Sequence, residues 1–168
     1  MLISTMRFGD IEVKDTQIFN FDEGLPGFPD EKKFAFLPND DGSEDKPNFA
    51  YLQSLTTPEL TFLLADPFAF FHDYEFTIDE SIEALLGTSA NNLPMVWSIG
   101  MVLNKIEDMT INLVAPVLFN IENQKAMQLI LDGTKYKTRQ RIFPENIKDE
   151  MGKEKKNMGG DDTDAGVE

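Results

Sequence analysis

The residues able to do chemistry are few. The only histidine, His72, sits in the run FAFFHDYEF beside Asp73. A serine–histidine–aspartate relay would have to pass through it. Neighbours on an extended strand point to opposite faces, so Asp73 is badly placed to orient that imidazole. A lone histidine among aromatic residues reads as structural. The chain has no cysteine, which removes thiolate nucleophiles, thiolate metal sites and disulfides and suits a reducing compartment. Any metal site would need oxygen ligands alone. The acidic loop NDDGSEDKPN, Asn39 to Asn48, comes nearest, but it lacks the alternating aspartate register and the twelfth-position glutamate of a calcium loop. Nothing in the sequence brings two of the 30 acidic residues together as an acid–base pair.

Two further stretches invite a functional reading. EGLPGFPDE, Glu23 to Glu31, packs two glycines and two prolines into a short span. A phosphate-binding loop needs lysine and then serine or threonine after its last glycine, whereas Gly27 is followed by Phe28, Pro29 and Asp30. A dinucleotide fingerprint needs three spaced glycines opening a helix. The expected role is a turn: Gly24 and Gly27 supply unusual backbone angles, Pro26 and Pro29 fix φ, and Leu25 and Phe28 anchor it. KYKTRQR, Lys135 to Arg141, is the one dense basic patch. Tyr136 could stack a nucleic-acid base there; the favoured reading is an exposed edge strand whose cations block strand pairing.

Charge narrows the partners. The formal net charge is −15 and the pI about 4.3. Up to Phe143 there are 22 acids and 11 bases, net −11, so the folded part carries most of the field. Such a field repels nucleic-acid backbones and anionic membranes and attracts basic proteins. The competing explanation is solubility alone.

Stepping along the chain, apolar–polar alternation favours strands. ISTMRF and IEVKD read as a hairpin with its turn at Gly9-Asp10. TQIFNF, KFAFLP, NFAYLQSL, LTFLLAD, MVWSIGMVL, TINLVAPVLFNI and AMQLILD complete the set, with turn-forming residues between them. One helix is expected in TIDESIEALLG, capped by Thr77 or Asp79 and stopped by Gly87; its core stripe would be Ile78, Ile82, Leu85 and Leu86. The fold class is therefore mainly β: an antiparallel sandwich or a small antiparallel barrel over 1–143 with one or two short helices. Residues 144–168 hold one isoleucine, one valine and no aromatic residue, and are expected to be a charged, disordered tail. No apolar run is long enough to span a bilayer and no signal peptide is apparent.

Aromatic residues remain as the chief resource. Phenylalanine occurs 14 times, and five of the nine residues from Phe68 to Phe76 are Phe or Tyr. Alternation cannot hide Phe68, Phe70, Phe71, Tyr74 and Phe76 in one small core, so some are expected at the surface, where aromatic clusters rimmed by charge mark protein contacts. The other possibility is a core corner where the chain bends after Asp66-Pro67.

The segments FDEGLPGF, YLQSL, LTFLLADPFAFFHDYEF and TINLVAPVLFNIENQKAMQLIL, in this order and spacing, resemble the flagellar assembly factor FliW family over Met1 to Phe143. The resemblance implies a non-enzymatic, cytoplasmic β-barrel-like binder, monomeric when alone, needing no cofactor or metal and contacting neither nucleic acid nor membrane directly. Its implied partners are flagellin and CsrA, a basic dimeric RNA-binding protein that represses flagellin translation. Flagellin awaiting export would occupy the factor; once exported, it would release the factor to antagonise CsrA. Gly24, Pro26, Gly27, Leu52, Ser54, Asp66, Pro67, Asn112, Ala115, Pro116 and Gln128 match the family's motifs, and several are expected to be structural. The expected partner surface is Phe49, Tyr51 and Gln53 with Phe68, Phe70, Phe71 and Tyr74. The alternative function is a β-barrel small-ligand binder or hydrolase using buried carboxylates.

Overall fold

The computed structural model describes residues 1–40 and 42–143; the expected tail, 144–168, lies outside them. Chain order runs β1 (Leu2–Thr5), β2 (Gly9–Glu12), β3 (Ile18–Phe21), β4 (Lys33–Pro38), β5 (Phe49–Ser54) and β6 (Thr61–Ala65). It continues through α1 (Pro67–Phe70), α2 (Glu80–Leu86), β7 (Met95–Met101), β8 (Thr110–Ile111), β9 (Val117–Asn120), β10 (Lys125–Gln128) and β11 (Gln140–Arg141). Hydrogen bonding links β7, β6, β5, β4, β3, β10 and β9 in that order, and β9 pairs back to β7. This closes a seven-stranded barrel, which removes the free edges of an open sheet. All its pairings are antiparallel except β3 with β10.

Alternation explains the core. Phe19 and Phe21 of β3, Phe34 and Phe36 of β4, Ala50 and Leu52 of β5, Leu64, Trp97, Val117, Phe119 and Ala126 all point inward and are buried. The rings meet edge to face: Phe19 lies 5.0 Å from Phe119 and Phe21 5.2 Å from Phe34, a geometry that adds to their apolar burial. A second cluster under α1 joins Ala65, Tyr74, Met109, Ile111, Leu113 and Ile142. The β1–β2 hairpin closes a third around Ile3, Val13 and Ala35.

Several boundaries differ from the sequence reading. The first hairpin turns at Met6–Phe8, and Gly9 already opens β2 with φ +73°. TINLVAPVLFNI is not one strand. β8 and β9 pair one after the other along the same edge of β7, and residues 112–116 arc outward between them. The Asn112 carboxamide oxygen accepts from the Val114 and Ala115 amides, at 3.0 and 3.1 Å, and holds that arc; Pro116 lacks an N–H for the ladder there. The segment after Asp66-Pro67 forms the helical turn α1, where strand alternation does not apply. KYKTRQR is strand only at Gln140–Arg141, which pairs with β8 as the outermost strand. Helix α2 starts at Asp79, whose carboxylate accepts from the Ile82 amide, and ends at left-handed Gly87. Within its expected stripe Leu86 is buried, whereas Leu85 is 64% exposed.

Candidate functional site

The expected partner residues separate into a surface corner, a capped strand face and a buried post. At the corner, Asp66 accepts from the Phe68 amide at 3.0 Å and caps α1, with Pro67 as the first helical residue. That is the cap chemistry that aspartate carboxylates and N1 prolines favour. Lys46 reaches Asp66 at 3.5 Å. The cap turns Phe68 outward, 40% exposed, while Phe70 and Phe71 are half-buried. Phe70 lies 5.5 Å from Phe49. Phe68 and Phe76 lie 5.6 and 5.5 Å from Tyr74. The corner thus holds two aromatic groups, Phe49 with Phe70 and Phe68 with Tyr74 and Phe76, with the Phe68 edge in solvent.

Tyr74 itself is only 4% exposed, so it is a post beneath this surface and not part of it. Its hydroxyl donates to the Leu113 carbonyl at 2.8 Å. Burial, with Tyr136 beside it, pushes the phenol far above its ordinary pKa. Tyr136 stacks edge-on against Tyr74 at 4.8 Å and bonds through its hydroxyl to the Glu75 backbone. That ring is held against Tyr74 and the Glu75 backbone.

The outward face of β5 is covered differently along its length. Tyr51 is half-buried under Arg7, whose guanidinium lies 4.6 Å from the ring centroid and donates to the hydroxyl at 3.2 Å. Phe8 meets Tyr51 edge-on at 5.3 Å. Gln53, expected at the surface, is fully buried. Its amide donates to the Ser54 and Pro58 carbonyls at 3.1 and 3.2 Å, and its oxygen accepts from the Thr61 hydroxyl. The side chain thereby ties the two ends of the β5–β6 turn together, sharing the Pro58 carbonyl with the Met6 amide. Ser54 extends the network: its hydroxyl donates to Glu31 and accepts from the Thr57 amide. Hydroxyls of Ser54, Thr57 and Thr56 hold the Glu31 carboxyl below its usual pKa. Leu52 points the other way, into the barrel.

The remaining motif residues have local roles. Leu25 and Phe28 exchange backbone bonds around Pro26-Gly27, with Gly27 at φ +86°; proline followed by glycine at these places is the signature of a type II turn. Gly24, at φ +67°, has the Phe28 and Pro29 carbonyls against its α-carbon side. Gln128 donates to the Ala115 carbonyl at 2.9 Å. His72 and Asp73 are both exposed beyond α1. Among the described residues no group of three or more acidic or histidine side chains is arranged to hold a metal ion, and no helix is long and apolar enough to cross a membrane.

Strand reading also hid a surface. Alternation in MVWSIGMVL predicts a strand through Leu103, but β7 ends at Met101. Met101, Val102, Leu103 and Ile106 therefore stand 40–64% exposed on the β7–β8 connection. The turn residues in NKIEDM, which bracket Ile106, were the available signal.

A closed, largely antiparallel seven-stranded barrel with an exposed aromatic corner and an acidic body defines the structural class. Comparison with known proteins specifies it. The family model for FliW protein matches residues 2–142. A flagellar assembly factor FliW from Desulfitobacterium hafniense (strain DSM 10664 / DCB-2) is 44% identical over 145 residues, covering 86% of this chain and 93% of the relative. One from Geobacillus thermodenitrificans is 39% identical over 147 residues, covering 88% and 99%. A crystal structure of the flagellar assembly factor FliW superposes with a TM-score of 0.78 at 36% identity, covering 86% of this chain and 99% of that one. The chain belongs to the FliW family, and its role lies in the regulation of flagellum assembly.

Proposed function

We propose that this protein is a non-enzymatic cytoplasmic binder that couples flagellin export to flagellin synthesis by exchanging partners. It binds CsrA and prevents CsrA from holding RNA. Flagellin awaiting export occupies it and leaves CsrA active; export frees it again. The observation that carries this reading, beyond family membership, is the aromatic corner around Phe68, Phe70 and Phe71 on a body of net −11. Aromatic anchors supply apolar contact area, and the field favours a basic partner. An RNA-binding dimer must be basic where it holds phosphates. A strongly acidic protein docked near that surface raises the electrostatic cost of bringing RNA to it, even without covering the RNA site.

The test is competition. RNA binding by CsrA is measured with and without this protein, at low and moderate salt, each against a control lacking the protein because salt weakens RNA binding by itself. Inhibition that fades with salt at constant CsrA occupancy supports the electrostatic part. Inhibition that holds at equal occupancy would place the effect in shape or conformation. Loss of inhibition on adding flagellin supports the exchange.

A further inference from the structure

A second surface lies three strands from β6 in either direction round the barrel, at the parallel seam of β3 and β10. That pairing is short: Lys125 opposite Asn20 and Ala126 opposite Phe21. Beyond it, β3 turns away, with the Gly24 amide donating to the Phe21 carbonyl. Strand β10 continues along β9, Met127 opposite Leu118 and Gln128 opposite Val117. The strands part, and a groove of about 430 Å³ opens between them. Its walls are the Gly24–Pro29 turn on one side and Leu85, Leu86 and Met127 on the other. Asp22, Glu23 and Lys125 stand at its rim, with Lys125 3.9 Å from Asp22.

The groove has a directional edge as well as an apolar lining. The Leu129 amide donates to the Pro116 carbonyl. Antiparallel strands alternate the side to which successive residues bond, so Gln128 turns its backbone N–H and C=O away from β9 and into the groove. Among the described residues no backbone hydrogen bond meets them there. The walls do not collapse onto this edge because both are held. The paired Leu25–Phe28 backbone bonds hold the turn, and Asn120 and Asn123 both donate to the Leu86 carbonyl, at 2.9 and 3.0 Å, pinning the end of α2.

We propose that this groove is a docking site for an extended segment of a partner protein, which adds a short strand to β10 at Gln128. One apolar side chain of that segment lies between the Gly24–Pro29 turn and Leu85, and a flanking lysine or arginine meets Glu23, Asp22 being already paired with Lys125. Strand addition uses backbone bonds for affinity and alternate side chains for choice. The free strand edge selects an extended peptide over a helix, and the Glu23 carboxylate at the rim selects a basic flank. The proposal goes beyond the reading of the aromatic corner and does not depend on it.

The probe is the peptide acetyl-Lys-Val-Leu-Val-Lys-amide, titrated into the full chain labelled with ¹⁵N. Two control peptides carry glutamates in place of the lysines or N-methylated backbone amides. Saturable shifts centred on Gln128, Leu25 and Leu85 are expected, weaker by about tenfold with either control. Leu85→Glu should abolish them while the remaining spectrum is retained, since Leu85 is exposed. In the free protein the Gln128 amide should exchange with solvent faster than those of Met127 and Leu129. Four results overturn the proposal: no groove shifts at millimolar peptide; equal response to the N-methylated peptide, which points to a small apolar ligand; groove shifts that vary on dilution without peptide, which point to a second copy of the chain; or a protected Gln128 amide.

Discussion

Gly24 and Gly27 lie three residues apart, both with left-handed backbones, yet alanine should affect them very differently. At Gly27 the space for a β-carbon is open. Gly27→Ala therefore pays only for a non-glycine residue at φ +86°, about 1 kcal/mol. At Gly24 the same backbone strain applies, but the new carbon would also fall 2.7 Å from the Pro29 carbonyl oxygen and closer still to that of Phe28. These are backbone atoms of a proline-braced turn, so relief requires opening the turn and losing the paired Leu25–Phe28 bonds of 3.2 and 2.7 Å. Two such bonds contribute about 1 kcal/mol each, which brings Gly24→Ala to about 3 kcal/mol. For a domain of this size that lowers Tm by about 10 °C, against about 3 °C for Gly27→Ala. Thermal and urea unfolding of both variants measure the difference. Equal, mild effects would refute the claim that close backbone approach, and not φ alone, requires glycine at position 24.

The other expectations concern the post, the turn network and the corner. Tyr74→Phe leaves the buried Leu113 carbonyl without its donor and should cost about 1–2 kcal/mol in urea unfolding; no loss would mean the carbonyl is satisfied otherwise. Glu31 has a depressed pKa in the folded state, so its contribution is present above the unfolded carboxyl value and is lost as pH falls through the folded one. Glu31→Gln should accordingly lower Tm at pH 7 and flatten the decline of Tm below about pH 4.5; parallel Tm profiles for the two proteins would remove the assigned role. Phe68→Glu should weaken partner binding with little change in Tm, because the ring is partly in solvent, whereas Phe70→Glu should also destabilise by stripping the contact with Phe49. Unchanged partner affinity in Phe68→Glu, measured by calorimetry, would take the corner out of the interface.

The strands and much of their inward face were legible from alternation. Phe19, Phe21, Phe34 and Leu52 each occupy the inward parity of a short run, whereas β9 around Phe119 is buried at every position. Closure was not legible: the pairing of β9 with β7 joins distant segments, and the parallel seam of β3 with β10 follows from that closure. Long-range satisfaction of polar groups was equally hidden. Gln53 reads as outward by parity, and its burial depends on carbonyls four and five residues ahead that become accessible only once the β5–β6 turn is formed. Tyr74 misled in the same way, since its one polar atom finds Leu113 across the fold. At the corner, composition rightly indicated more aromatic residues than one core could take, but Asp66 capping α1 decides which ring faces out.

The most direct test of partner exchange is calorimetric titration of this protein into the CsrA dimer of the same organism, alone and then with flagellin already bound. Tight binding to CsrA that flagellin abolishes is the expected result. Absence of binding to both proteins, from a sample with a cooperative melt, would contradict it.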